Sequence, residues 1–273
     1  MLIYPVIDPI IVSFTLPVMG LVAIRWYGVM YLLGLACAWW LALRLTRAGR
    51  APTRTREEVD DLIFYAAMGV IVGGRIGYAL FYQFNELLHD PLFLFKITQG
   101  GMSFHGGLLG VLLAMWLYGR KIHQPFFAIT DFIAPMVPIG LGLGRLGNFI
   151  NQELWGRATD AQWAMVFPSD PLHLVRHPSQ LYQFALEGVL LFIVLHIYAS
   201  KPRALGMVSG WFLILYALFR FAVEFFREPD AQIGFDWLGW MTRGQELCVP
   251  MLIAGIAICI WACHRSKKPH SRG

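Results

Sequence analysis

Long apolar runs separated by short polar stretches dominate this chain. Seven runs approach the roughly 20 residues that a bilayer-spanning helix needs. They cover about 22–43, 62–84, 102–119, 126–144, 180–199, 206–226 and 246–263. The third and seventh are short, and the fourth is weaker, with Asp131, Pro135 and Pro138. The pattern predicts an all-α integral membrane protein, with residues 1–273 forming a single polytopic membrane domain. Residues 1–24 place no basic residue ahead of an apolar run, and no A-x-A site follows, so the first span is expected to remain in the mature chain.

Composition agrees with lipid as the main solvent. The chain is 57% hydrophobic and 14% charged, against about 25% charged in a soluble domain. Charge also orients the spans. Arg44, Arg47, Arg50, Arg54, Arg56, Arg120, Lys121, Lys201, Arg203, Arg265, Lys267, Lys268 and Arg272 follow the odd-numbered spans. The opposite loops hold only Lys96, Arg157, Arg176, Arg227 and Arg243. By the positive-inside bias, the N-terminus is outside and the C-terminus cytoplasmic. The two longest loops, about 145–179 and 227–245, then lie outside. The first contains Trp155, Trp163 and Phe167, so it is expected to be an ordered element between spans four and five. Cys37, Cys248, Cys259 and Cys263 sit in or beside apolar segments, with no CxxC pair, and read as small buried hydrophobes. No basic face interleaved with aromatics points to nucleic acid, and no HExxH, acidic cage or phosphate-binding loop points to a metal or other cofactor.

Polar residues inside apolar runs carry the functional signal, because an arginine at mid-span costs about 2.5–3.5 kcal/mol on insertion scales. Arg25 is explained by snorkelling, and Arg75 reads either way. Arg220, Glu224 and Arg227 are spaced i, i+4, i+7 on one helix face. Glu224 can pair with either arginine, leaving the other for an anion, although a structural ladder competes for Glu224. Gly144–Gly156 puts Arg145, Asn148 and Asn151 at i, i+3, i+6, beside Glu153 and several glycines. Small-residue packing explains the glycines alone; the added charges favour a site. His105, flanked by Gly106 and Gly107, has a side chain suited to proton transfer near neutral pH. Tyr27 could donate a hydrogen bond, with an interfacial aromatic belt as its ordinary explanation. The arginines match phosphate oxygens, so a phosphate-bearing lipid headgroup is the expected ligand.

Other classes fit less well. Span seven has no lysine for a retinal Schiff base, no internal repeat suggests a transporter, and Ser103 and His105 do not share a helix face as a protease dyad would.

The stretch GRLGNFINQELWG at Gly144–Gly156 resembles the signature of the bacterial phosphatidylglycerol–prolipoprotein diacylglyceryl transferases. Further blocks agree in order: Arg25–Gly28, Gly73–Tyr78, Phe104–Gly107, Arg176–Tyr182 and Arg220–Arg227. The resemblance implies seven spans with the N-terminus outside, in the bacterial inner (cytoplasmic) membrane. It implies transfer of diacylglyceryl from phosphatidylglycerol to the lipobox cysteine thiol of a prolipoprotein signal peptide, as the first step of lipoprotein maturation. A thioether forms and glycerol 1-phosphate leaves. Arg145 and Arg220 would bind the phosphate, and His105 would be the base unless arginine alone lowers the thiol pKa enough. Asn148, Asn151, Glu153 and Gly156 would shape the headgroup pocket, Tyr27 would orient a substrate group, and Glu224 with Arg227 would hold Arg220.

Overall fold

A computed structural model describes residues 2–5, 7–16, 20–96, 100–229 and 240–267. Within them the chain is mostly helical. Trp26–Arg47 (α1), Arg56–Tyr82 (α2), Ser179–Tyr198, Met207–Glu224 and Arg243–Ser266 are each long and apolar enough to cross a membrane. Phe126–Ile133 (α5) and Val137–Ile150 (α6) are bent by 44° where they meet and add a sixth span if taken as one. The break falls at Ala134–Met136, beside the helix-breaking Pro135 and just before Pro138. Phe104–Lys121 (α4) has the length of a span, at 18 residues. Its polar ends, His105 and Arg120–Lys121, keep it out of this apolar set. Short Phe84–His89 (α3) and a 3₁₀ turn at Pro91–Phe95 lie between α2 and α4.

Two features depart from an all-α chain. Ile10–Leu16 (β1) and Gly20–Arg25 (β2) form an antiparallel hairpin, so the first helix begins at Trp26 and not near residue 22. Met165–Val166 (β3) and Val175–Arg176 (β4) form a second small sheet, which makes the segment between α6 and the next helix an ordered element. Of the other long loop, 227–245, residues 230–239 lie outside the described residues, as do the C-terminal Lys268 and Arg272.

The chain falls into two compact units, residues 39–132 and residues 1–38 with 133–273. In the first, α2 and α4 pack through glycines. A Cβ on Gly110 would lie 2.8 Å from Gly73 Cα and would collide with Gly69 O; one on Gly77 would lie 2.7 Å from Gly106 Cα. Small residues let helix backbones approach where lipid supplies no hydrophobic drive. Arg75 on α2 explains the turn beyond it. Its five N–H groups donate to the carbonyls of Phe93, Leu94, Lys96, Gly100 and Gly101 at 2.6–3.2 Å. Phe93 also stacks 4.4 Å from the guanidinium. A guanidinium has five donors in all, so Arg75 is structural.

In the second unit, Ser179–Tyr198 is not one regular helix. It runs as Ser179–Gln183 (α7), a π-helical segment Phe184–Leu190, and Leu191–Tyr198 (α8). Met207–Glu224 (α9) follows Gly206, whose φ of 93° makes the turn into it, and packs against Arg243–Lys267 (α10). Gly142 of α6 faces Gly188 of the π segment so closely that a Cβ on Gly188 would lie 2.7 Å from Gly142 Cα.

The glycine contact between α2 and α4 is testable. Gly110→Val should lower stability by about 1–3 kcal/mol through overpacking, read as a lower apparent Tm in detergent. Gly28→Ala, where a Cβ meets nothing within 4 Å, should leave Tm unchanged or slightly raised. A Gly110→Val protein that melts with the wild type would show that these helices do not touch there.

Candidate functional site

The Gly142–Gly188 contact sets the site. Arg145 lies one turn beyond Gly142, and Glu187 immediately precedes Gly188. The close approach therefore brings a guanidinium and a carboxylate together: Arg145 Nη2 is 3.6 Å from Glu187 Oε2. Glu187 is wholly buried and lies inside the π-helical segment, a deformation frequent at functional sites. From α9, Arg220 Nη1 approaches Glu187 Oε1 at 4.0 Å and Glu224 Oε2 at 2.9 Å. Arg227 Nη1 donates to Glu224 Oε1 at 3.3 Å, and Thr242 Oγ1 donates to the same oxygen at 3.0 Å. Arg227 is not on the helix face: α9 ends at Glu224, and Arg227 sits in the following turn, its backbone bridged to Gly156. Glu224 is thus paired with both arginines, where the helical spacing predicts one pair and the other arginine left for an anion.

Among the described residues, Glu187 and Glu224 are the buried carboxylates that pair with Arg145, Arg220 and Arg227. A lone buried charge would be prohibitive, and pairing by the two carboxylates relieves most of that cost.

The second part of the site is the turn after α6. Asn148 and Asn151 donate from their Nδ2 atoms to opposite oxygens of Glu153, each at 3.3 Å. Glu153 lies between Gln152 and Leu154, whose φ values of 55° and 56° are left-handed and rare for such residues. Each costs of order 1–3 kcal/mol and persists only where the surroundings enforce it. Here they do. Gln180 Nε2 donates to Glu153 O at 2.6 Å, Ser179 Oγ to Leu154 O at 2.9 Å, and Ser169 N to Gln152 Oε1 at 2.9 Å. Strain of this kind marks functional turns. Tyr27 packs its ring against Gly147 of α6, and its hydroxyl lies 3.1 Å from that of Tyr31.

Gly156 works through its backbone. A Cβ there would lie 2.6 Å from His177 O and would collide with Phe226 O. Its carbonyl also accepts from Arg176 Nη1 at 3.3 Å. Arg176 is held by Asp170 at 2.6 Å through Nε and by Glu228 at 3.2 Å through Nη1. The ordered element between α6 and α7 is thereby tied to the end of α9, where Arg227 begins. Beside it lies an apolar groove of about 370 Å³, between Tyr182–Leu186 on one wall and Ala222–Phe226 on the other. Burial pushes the His177 imidazole at its mouth below its usual pKa.

His105 belongs to the other unit. It is exposed in the first turn of α4, whose N-cap Ser103 accepts from Gly106 N at 3.2 Å. The structure groups the remaining sequence-predicted residues, Tyr27, Arg145, Asn148, Asn151, Glu153, Gly156, Arg220, Glu224 and Arg227, within one unit. Sequence reasoning passed over Glu187, Gln180 and Thr242. The signal for Glu187 was present, as a single carboxylate in the apolar stretch that follows Ser179.

The fold and this site define a multi-pass membrane protein with a buried arginine–carboxylate centre. Residues 13–261 match the family model described as prolipoprotein diacylglyceryl transferase. The chain is 55% identical over 268 residues to a protein of Azotobacter vinelandii named phosphatidylglycerol–prolipoprotein diacylglyceryl transferase, covering 98% of this chain and 99% of that one. A protein of the same name from Pseudomonas aeruginosa (strain LESB58) is 55% identical over 265 residues, 97% of each chain. One from Pseudomonas entomophila is 55% identical over 270 residues, 98% of this chain and 97% of its own. The chain belongs to the prolipoprotein diacylglyceryl transferase family.

The Asp170–Arg176 pair is predicted to make the ordered element acid-sensitive. Arg176 holds the Asp170 carboxyl below its ordinary value. A depressed folded-state pKa contributes stability that is present above the unfolded carboxylate pKa of about 3.9 and is lost as pH falls through the lower folded value. Limited proteolysis within 156–178 should therefore accelerate below about pH 4, and Asp170→Asn should cleave readily at neutral pH with a flat pH profile. A wild-type cleavage rate that is flat down to pH 2 would contradict this.

Proposed function

We propose that this chain transfers the diacylglyceryl group of phosphatidylglycerol to the lipobox cysteine of prolipoproteins, the first step of lipoprotein maturation. The observation that carries the reading is the pairing of Arg145 and Arg220 on buried Glu187, in a chain of this family. We read it as a single membrane domain of the bacterial inner membrane with seven spans, α4 being the seventh. The N-terminus is outside and the basic loops are cytoplasmic. The glycine seam between α2 and α4 supports counting α4, because a helix packed so closely on a spanning helix can share its depth. The strained turn at Glu153 and the β3–β4 element then face the periplasm, where the prolipoprotein signal peptide and its lipobox are presented.

The chemistry follows from charge. The cysteine thiolate attacks the lipid glycerol carbon that bears the phosphate ester. A C–S bond forms, the C–O bond breaks, and its electron pair leaves on glycerol 1-phosphate. The phosphate begins as a monoanion and gains charge as the ester breaks. Donors placed to bind that added charge favour the transition state over the ground state. Arg145 and Arg220 fill this role, and Glu187, Glu224 and Arg227 fix their positions. Asn148, Asn151 and Glu153 line the headgroup side, with Gly156 admitting the backbone crossing that holds Arg227. Tyr27 orients a substrate group from α1. An acyl chain fits the apolar groove beside Tyr182. The thiol, with a pKa near 8.5 when free, is mostly protonated at neutral pH, and His105 takes its proton.

The purified protein, supplied with phosphatidylglycerol and a synthetic lipobox peptide, should release glycerol phosphate only when the peptide carries its cysteine. Release without the peptide would indicate a phospholipase. Absence of peptide-linked lipid from folded protein would end the transferase reading. Arg145→Lys and Arg220→Lys should each lower kcat by on the order of 10²–10³-fold, because an ammonium lacks the guanidinium fork; activity within a few-fold of wild type would remove the arginine pair from the mechanism. His105→Gln should reduce transfer and abolish the acid limb of the pH–rate profile. An unchanged profile with near-normal rates would remove His105 as the base.

A further inference from the structure

Among the described residues, every buried side-chain polar atom without a hydrogen-bond partner belongs to Asn151, Gln180, Gln183, Glu187, Arg220 or Glu224. Buried polar groups are nearly always satisfied, and an orphaned one costs about 1–3 kcal/mol. Glu187, Arg220 and Glu224 answer one another as ion pairs, which leaves Asn151 Oδ1, Gln180 Oε1 and both amide atoms of Gln183 as the unanswered groups. The six residues form a connected track. Asn151 and Gln180 both bond Glu153, at a side-chain oxygen and at the backbone carbonyl. Gln180, Gln183 and Glu187, all wholly buried, follow through α7 into the π-helical segment. Glu187 then reaches Arg220, and Arg220 reaches Glu224.

Gln183 is the outlier in this track. The others each share a hydrogen bond or an ion pair, whereas Gln183 has both Nε2 and Oε1 buried with no partner. The arginines already account for a phosphate. On the proposed reading, the rest of the lipid headgroup is a glycerol with two free hydroxyls. Each hydroxyl is both donor and acceptor, and a glutamine amide offers two N–H donors and an acceptor oxygen. An ammonium headgroup supplies donors only, which leaves the Gln183 N–H groups unanswered. We infer that Gln183 is a specificity-determining residue whose amide hydrogen-bonds the glycerol hydroxyls of the donor lipid and so selects the glycerol headgroup. This rests on the transferase reading above.

The test compares phosphatidylglycerol with phosphatidylpropanol, the same lipid stripped of headgroup hydroxyls, as donors to a lipobox peptide. Sites built to bond a hydroxyl reject analogues that lack it. Wild-type kcat/KM should favour phosphatidylglycerol by on the order of 10²-fold. Gln183→Leu should bring the ratio close to one, mainly by losing phosphatidylglycerol turnover. Gln183→Met, which keeps the side-chain length, carries the same expectation if leucine is not tolerated. A variant that lowers both lipids in parallel and keeps the wild-type ratio would show Gln183 to be structural and overturn the inference. So would a wild type that uses both lipids equally, while leaving the transferase reading intact. A wild type that transfers from neither lipid would overturn the transferase reading itself, and this inference with it.

Discussion

A guanidinium cannot sit at bilayer depth unpaired, and that constraint organises this molecule. Two carboxylates, Glu187 and Glu224, hold Arg145, Arg220 and Arg227 inside an apolar helical surround. Replacing such a cluster by hydrophobic residues would often cost a protein nothing in stability. Its presence therefore calls for a reason beyond stability, and the proposed phosphate site supplies one.

Everything near the cluster serves to bring those charges to one point. Arg145 and Glu187 meet because Gly142 and Gly188 allow two backbones to touch. Arg220 and Arg227 reach Glu224 from opposite ends, one from within α9 and one from the turn beyond it. Gly156 holds that turn by a backbone crossing too tight for any side chain. The left-handed Gln152 and Leu154 present Glu153 to two asparagines and are enforced by α7. The buried side chains of Gln180, Gln183 and Glu187 run from the strained turn to the charge cluster along α7 and the π-helical segment.

Much of this could be read in advance because lipid makes polar residues conspicuous. Arg145 and Arg220 stood out through the cost of a charge in an apolar run, and Arg220–Glu224 through helical spacing. The segment 126–144 reads as one weak span because of Asp131, Pro135 and Pro138, and the structure breaks it by 44° between α5 and α6. The hairpin of β1 and β2 was missed because its apolar residues merge into the first long apolar run, which pushed the predicted helix start to 22 in place of Trp26. Arg75 stayed ambiguous because its five partners are backbone carbonyls, which no side-chain pattern encodes. Glu187 was overlooked although its cost in a span equals that of an arginine. Its partners lie on two other helices, so local spacing gave no hint of a pair.

The central claim is that Arg145 and Arg220 jointly hold the donor lipid's phosphate. Solid-state NMR with ³¹P–¹⁵N recoupling, on protein labelled at arginine and supplied with phosphatidylglycerol, tests it directly. The account predicts close contacts, about 4 Å from phosphorus to guanidinium nitrogen for a charge-assisted hydrogen bond, that weaken in Arg145→Lys and again in Arg220→Lys. Contacts that persist unchanged in both variants would place the phosphate on other arginines and contradict the account.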